Sequence, residues 1–418
     1  MSNDIHETHL QHLPEERMAP KWLLDRYQAR ALVVFGLGTI ALIIGAFVGT
    51  NALDHFFRAY LAGFVLWTGA SLGCMALLMV NHLSAGKWGL IIRRILEAGC
   101  AQFPLLFILW LPIGLGMNHL FPWTHPRYDM LPWDAQRIIN NKAWVYLNPT
   151  FFWLRWPFYF FMWWWFSSTL RKWSIQRDQD PTKWDYQRHL ENRSGVGLVM
   201  YALTMTFAIM DWVMSLDATW FSTIYGLIFL SGQGMMALAI SIMTVLLLSG
   251  EEPIRSMLRK TELHDLGKLM LAFVMLYAYT SFSQWLIIWS GNLPQEINWY
   301  MNRLAGGWMN YSRFLILVEF AIPFTLLLSR RLKKQPGFMV PFCVGIIVVR
   351  MLDIYWEVEP SFLSHQNQWS FNWMYLASTC AIGGLWTFFF IRSLKSRPIL
   401  VSYDLQLEEL LEPEHATA

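Results

Sequence analysis

Four carboxylates stand where an apolar segment would ordinarily have none. Glu97 lies in IIRRILEAG, Asp211 closes the run GVGLVMYALTMTFAIM, Glu319 interrupts LILVEFAIPF, and Asp353 lies in PFCVGIIVVRMLDIYWEVEP. An ionisable group inside hydrocarbon costs at least ~2.5 kcal/mol on insertion scales, so each acid calls for a partner and is a functional candidate. Basic partners are near in sequence. Arg93 and Arg94 precede Glu97, and Arg350 precedes Asp353, at spacings that place them on neighbouring helix positions. Glu357 follows one turn after Asp353, and Arg313 reaches the same outer level from the segment that carries Glu319. Pro323 frees a backbone carbonyl around residue 319. Tyr277, Thr280, Ser281 and Gln284 form a polar stripe in LMLAFVMLYAYTSFSQWLIIWSGN, while Ser231 and Gln233 lie in SGQG, where glycines allow close helix contact.

Buried carboxyls can exchange protons near neutral pH. Ordered by depth, the acids run from Glu97 (inner) through Glu319 (middle) to Asp211 and Asp353 (outer). That ladder suits a proton route in which Tyr277 and Gln284 bridge the steps and Arg93, Arg94, Arg313 and Arg350 supply balancing charge. Packing offers the alternative at each position. Arg93, Arg94 and Glu97 can be a structural ion pair at the membrane edge, and single Tyr, Ser and Thr residues commonly make interhelical hydrogen bonds. Asp217, in DWVMSLDATW, reads as a residue that shapes or caps a short outer turn.

The elements that must position these groups follow from composition. Of 418 residues, 55% are hydrophobic and 15% charged, with 24 Trp and 29 Phe. A soluble domain has about 25% charged residues, so the chain reads as an all-α integral membrane protein. A net charge of +3 gives no ground for a nucleic-acid partner. A spanning helix needs about 20 apolar residues, and ten stretches qualify, near 31–50, 59–81, 90–117, 150–170, 195–215, 220–249, 267–290, 310–330, 337–356 and 371–392. Residues 1–30 read as a polar tail without a signal peptide's apolar core, 31–395 as one polytopic membrane domain, and 396–418 as an acidic tail. The connection between the third and fourth spans is long and aromatic, as a docking loop for an extracytoplasmic partner would be. The connection SIQRDQDPTKWDYQRHLENRS reads as a solvated loop.

Redox ligands are sparse. Cys74, Cys100, Cys343 and Cys380 fall in separate spans, with no CxxC, no CxxCH and no iron–sulfur run. The eleven histidines lie in tails, loops or span ends, so no pair faces across the membrane to hold haem. The expectation is a chain without a redox cofactor or a bound metal.

Several of these segments together carry a resemblance. DWVMSLDATWFSTIYGLIFLSGQ, YAYTSFSQWLIIWSGNLPQEINWYMNR, VEFAIPFTLLLSR, RMLDIYWEVEPSF and RRILEA are similar, in order, to motifs of the NrfD-like membrane subunits of bacterial alternative complex III, the ActF type. The likeness runs over about residues 31–395. It implies two packed four-helix bundles with two peripheral helices. It also implies membership of a quinol:cytochrome c oxidoreductase in a respiratory chain, in the bacterial cytoplasmic membrane. The implied partners are a paralogous membrane subunit, an iron–sulfur protein and c-type cytochromes, with haem c and the clusters on those partners. Quinol is a possible ligand, although the resemblance assigns the main quinol site to the paralogous subunit. One residue departs from the pattern: the family commonly has His at the position of Glu319. Two other classes stay open, a stand-alone secondary transporter with its site at broken helices and a purely structural anchor.

Orientation follows from the charges. With the connections assigned alternately to two sides, 24 of the 32 Lys and Arg residues fall on the side of both termini and five on the other. By the positive-inside rule that side is cytoplasmic. Reporter fusions at residues 1 and 418 should therefore both report the cytoplasm, and an external signal from either one would break the span count.

Overall fold

The computed structural model describes residues 18–124, 129, 133–143, 146–179, 185–362, 369 and 371–400. Most of the expected N-terminal tail, the acidic tail from residue 401, and parts of both long connections lie outside the described residues. Every regular element among the described residues is helical. The long helices are α1 (Lys21–Phe47), α2 (Ala52–Ser84), α3 (Trp88–Leu115), α4 (Trp133–Ala143), α5 (Pro149–Gln179) and α6 (Asp185–Trp212), followed by α7 (Tyr225–Leu248), α8 (Lys260–Gly291), α9 (Pro294–Leu304), α10 (Trp308–Leu328), α11 (Pro336–Val358) and α12 (Met374–Lys395). Hydrocarbon cannot hydrogen-bond a peptide group, so a spanning segment must satisfy its backbone internally, and helices do so.

Nine of these helices are long and apolar enough to cross a membrane: α1, α2, α3, α6, α7, α8, α10, α11 and α12. The chain is a multi-pass membrane protein. The tenth expected span falls in α5, which at 31 residues has the length but not the hydropathy. Five tryptophans, Pro157 and Arg155 lower its apolar character between residues 150 and 170. Its outward face is nonetheless apolar, with Leu154, Phe158, Phe161 and Trp165 exposed.

The expected boundaries move in two places. Helix α1 begins ten residues before the expected 31, at Lys21, so the last third of the expected tail is helical. The expected solvated loop is mostly helix as well, because α5 runs to Gln179 and α6 starts at Asp185. Charged residues tolerate a helix once it has left the bilayer, and the apolar pattern alone does not register that continuation.

Two buried helices form the spine. Almost all of α2 and α7 is covered by protein, and the two pack on each other. Helices α3 and α6 lie against α2, with α5 against α6; α8 and α11 lie against α7. The last helix, α12, runs along α1 and α2. Lys395 near the end of α12 meets Asp25 and Gln28 near the start of α1, so the two ends of the described chain emerge on one side.

Glycine permits the closest approaches. A Cβ at Gly73 of α2 would stand 2.1 Å from the Gln233 backbone oxygen on α7. On α1, a Cβ at Gly38 would stand 2.5 Å from the Ala381 nitrogen, whereas at Gly36 it would meet nothing within 4 Å. Gly38→Leu should therefore force α1 off α12 and cost about 1–3 kcal/mol, the usual range for overpacking. Gly36→Leu should stay within about 0.5 kcal/mol of wild type. Thermal unfolding of the two variants in detergent compares them directly; equal midpoints would mean that the α1–α12 contact does not carry stability.

A buried acid–base group as the candidate functional site

The middle of α10 is not a regular helix. Residues Ile316–Ala321 form a π turn that presents Glu319, and Pro323 follows. Proline has no N–H to donate to the carbonyl four residues earlier, which is that of Glu319, and a ladder interrupted in this way often widens to π geometry, frequently at functional sites. The turn directs the Glu319 carboxylate onto the Arg350 guanidinium of α11, and both side chains are buried.

Arg350 is shared. Its Nη2 lies 3.0 Å from Asp353 Oδ2 one turn further along α11. Tyr277 of α8 donates to the other Asp353 oxygen at 2.7 Å, and the guanidinium carbon stands 4.8 Å above the Tyr277 ring. Room for the guanidinium comes from α7. A Cβ at Gly232 would lie 2.2 Å from Arg350 Nη2, so the glycine of SGQG lets the cation rest against that helix. Four helices thus converge on one charge.

The group continues toward the C-terminal end of α11. Glu357 lies one turn beyond Asp353 and accepts a hydrogen bond from Tyr225 of α7 at 2.6 Å. Arg303 of α9 donates to the Glu357 backbone oxygen at 2.7 Å and stacks on Trp299 at 3.4 Å. Burial pulls the Arg303 guanidinium below its ordinary pKa, and the nearby Glu357 charge opposes that shift. A separate chain of groups follows at Glu359, just past the end of α11. Tyr375 of α12 donates to it at 2.6 Å, and Arg58 of α2 lies 3.7 Å away. Arg58 in turn approaches Asp54 at 4.0 Å, and Asp54 meets His119 at 2.6 Å. Side-chain exposure rises along this series, from 7% at Glu359 through 12% and 24% to 38% at His119.

The other candidates fall in different neighbourhoods. Asp211 of α6 is held in a two-pronged pair by Arg155 of α5, with both N–O distances 2.8 Å, and Tyr159 donates to it at 2.9 Å. Its partners come from the first half of the chain, whereas Asp353, which it was expected to join at the outer level, has its partners in the second. Glu97 lies at the opposite end. Arg94 pairs with it at 2.7 Å, Ser174 donates to it at 2.7 Å, and Arg94 also meets Asp178. Arg397, just past α12, comes within 3.7 Å of Glu97, and burial brings its pKa down to about 10 with the Arg171 charge adding to the effect. Arg94, Glu97, Ser393 and Arg397 border a void of about 10 Å³, close to the least that holds one water.

Several expected placements need correction. Arg93 turns to α2 instead: its Nε donates to Asn81 at 3.0 Å, although it lies only one helical turn from Glu97. Arg313 is exposed, with Asn310 at 3.5 Å, so it belongs to the outer surface rather than to the acid group. The polar stripe of α8 divides. Tyr277 reaches Asp353, and Gln284 bonds Ser222 at 2.7 Å and Tyr300 at 3.2 Å, while Thr280 bonds its own helix backbone. Among the described residues, Ser281 finds no partner. Asp217 accepts from Thr219 at 2.7 Å, as a turn residue does. The four cysteines are unbonded, and among the described residues no cluster of His, Cys, Asp or Glu is placed to hold a metal.

Arg155, Tyr225, Arg303, Glu359 and Tyr375 were not picked out as site residues from the sequence. Arg155 carried the clearest signal, as a lone arginine inside a predicted span. Arg303 and Glu359 sit in short segments at the membrane boundary, where a charged residue raises no alarm.

No protein-family model matches the chain, and no curated protein matches it.

Removing one partner of a buried ion pair leaves the other uncompensated, at a cost of about 3–5 kcal/mol. Arg350→Gln should be destabilising by that order. Adding Glu319→Gln should recover part of the loss, with a coupling of at least about 1 kcal/mol in the double-mutant cycle. Chemical or thermal unfolding in detergent measures it, and strictly additive losses would show that the pair is not energetically joined.

Proposed function

We propose that this chain is a membrane subunit of a quinol:cytochrome c oxidoreductase of the alternative complex III type, and that it conducts protons rather than electrons. On this reading its helices form two four-helix bundles, α2, α3, α5 and α6 in one and α7, α8, α10 and α11 in the other, with α1 and α12 peripheral. Both termini are cytoplasmic, in a bacterial inner membrane. The chain holds no redox cofactor. Haem c and iron–sulfur clusters belong to partner subunits, and quinol is oxidised next to a paralogous membrane subunit.

One observation carries the proton role: the charge count of the Glu319 group. Among the described residues, Glu319, Asp353 and Glu357 face two guanidiniums, Arg350 and Arg303, with Tyr225 and Tyr277 as hydroxyl donors. A region that excludes water strongly favours neutrality, so three carboxyls and two fixed cations are best balanced by one proton shared among the acids. The proton has hydroxyls and carboxylates on neighbouring turns to move between. Asp211 with Arg155 is balanced one to one, and at Glu97 the guanidiniums of Arg94, Arg171 and Arg397 leave no surplus of acid. The surplus supports Glu319, Asp353 and Glu357 as the exchanging sites. The Glu97 cluster supports an inner mouth, and the increasingly exposed series from Glu359 to His119 supports an outer one.

A secondary transporter is favoured by one specific feature, the two interrupted spans. Helix α3 breaks at Ala101–Gln102 and again near Trp110, and α10 breaks at its π turn. A solute gradient driven by the purified chain alone in vesicles would support that reading.

Glu319→Gln preserves shape and removes the exchangeable proton. In the assembled complex, reconstituted into vesicles, it should cut protons moved per electron by at least half while cytochrome content stays unchanged. Asp265→Asn, at an exposed pair with Lys268, should leave the ratio at wild type. An unaltered ratio in Glu319→Gln would make the group a packing device. If that variant prevents assembly, Glu319→Asp, which keeps the proton site, should restore both assembly and the ratio.

A further inference from the structure

An open cleft of about 430 Å³ lies just beyond Asp211, between α4, the end of α6 and the turn that leads into α7. The Glu319 group makes no use of it. Its volume falls within the range of small-molecule sites, ~300–1,000 Å³, and its walls are mostly apolar, with Phe207, Met214 and Phe221 among them. Three polar groups interrupt those walls. Lys142 of α4 donates one ammonium hydrogen to the Ala218 oxygen at 2.7 Å, which leaves donors to spare. Trp220 is 2% exposed, and its indole N–H has no acceptor among the described residues. Asp217 uses one oxygen to accept from Thr219 and keeps the other available.

An orphaned buried N–H is costly unless a ligand supplies the acceptor. Burial also pulls the Lys142 pKa below its ordinary value against the opposing charge of Asp217, so a neighbouring anion would relieve the desolvated ammonium. The cleft therefore asks for an anionic acceptor at Lys142 and Trp220, a cationic or donor group at Asp217, and an apolar body. The apolar part has an obvious exit. Val199, Leu203 and Phe207 are exposed at every fourth position of α6, forming one lipid-facing stripe that ends in the cleft.

We propose that the cleft binds one zwitterionic glycerophospholipid. The phosphate accepts from Lys142 and Trp220, the headgroup amine donates to Asp217, and the acyl chains leave past Phe207 along the α6 stripe. An anionic head lacking an amine would place nothing positive against Asp217, so the site discriminates between headgroups. The assignment is independent of the proton role and gives the second Asp217 oxygen a hydrogen-bond donor.

The test uses the full chain purified in detergent, with bound lipid identified and counted by native mass spectrometry and extraction. Wild type should keep one phospholipid per chain through delipidation and should rebind phosphatidylethanolamine over phosphatidylglycerol by about tenfold, equivalent to ~1.4 kcal/mol. Lys142→Gln should weaken retention by about the same factor, and Asp217→Asn should erase the headgroup preference while keeping a lipid. Met214→Trp narrows the apolar wall without touching a charge and should also expel the lipid, so it decides the matter if Lys142→Gln fails to fold. Equal retention in wild type and Met214→Trp would overturn the proposal. So would recovery of detergent or an isoprenoid quinone in place of phospholipid, or equal rebinding of both headgroups.

Discussion

Four helices in the second half of this protein converge on one guanidinium. Arg350 lies in the span Pro336–Phe362, where no bulk water is available to solvate it, so the surrounding chain must supply both charge and hydrogen bonds. Glu319 comes from α10, Asp353 from its own helix, and Tyr277 from α8. Each of these groups is buried as well, so none can be left without the others. The cation thereby fixes the rotation of three helices at once, and the π turn in α10 is the local distortion that lets Glu319 reach it.

Such an arrangement requires backbones to approach closely, and α7 provides for that. Gly232 opens the space for Arg350, and Gly234 does the same for the Phe273 ring of α8. On the other side of the spine, Gly69 and Gly73 of α2 receive Gln233, whose amide oxygen accepts from Tyr201 of α6 at 2.7 Å. Between helices already in lipid there is little hydrophobic gain from association, so close packing and interhelical hydrogen bonds decide the arrangement. The same four-residue segment, SGQG, therefore contacts both halves of the molecule. Its sequence predicted close contact, and the contacts show which neighbours exploit it.

The helical, membrane-spanning character was legible because hydropathy and length act locally. Where the sequence reading erred, a nonlocal or compositional effect intervened. Helix α5 is rich in tryptophan, whose amphipathic ring suits an interface as well as a core, so composition and length give different answers there. The pairing of Arg350 with Asp353 and of Arg94 with Glu97 was legible from helical spacing. Arg93 shows the limit of that argument, since a neighbouring helix offering Asn81 outcompeted the acid one turn away. Position along a helix was readable from residue counts, but lateral position was not. Asp211 and Asp353 are both near helix ends, yet they have no common partner, because nothing in a linear count reveals which helices are adjacent.

The identity of residue 319 has a consequence for the proposed proton route. With glutamate there, the group has three carboxyls against two guanidiniums, and neutrality requires one added proton. A neutral histidine at the same position would leave two carboxyls and two guanidiniums already in balance. A proton arriving in that version would make the group positive, whereas a proton leaving the glutamate version makes it negative. Both can relay protons, but their resting states differ by one bound proton and by the sign of the transient charge. The fixed cations would then work in opposite senses. Arg350 would repel an incoming proton in the histidine version, and it would stabilise the carboxylate exposed by a departing proton in this chain. Glu319 thus favours a route whose transient state is a vacancy held beside Arg350, and its direct pairing with that guanidinium is the geometry such a state requires.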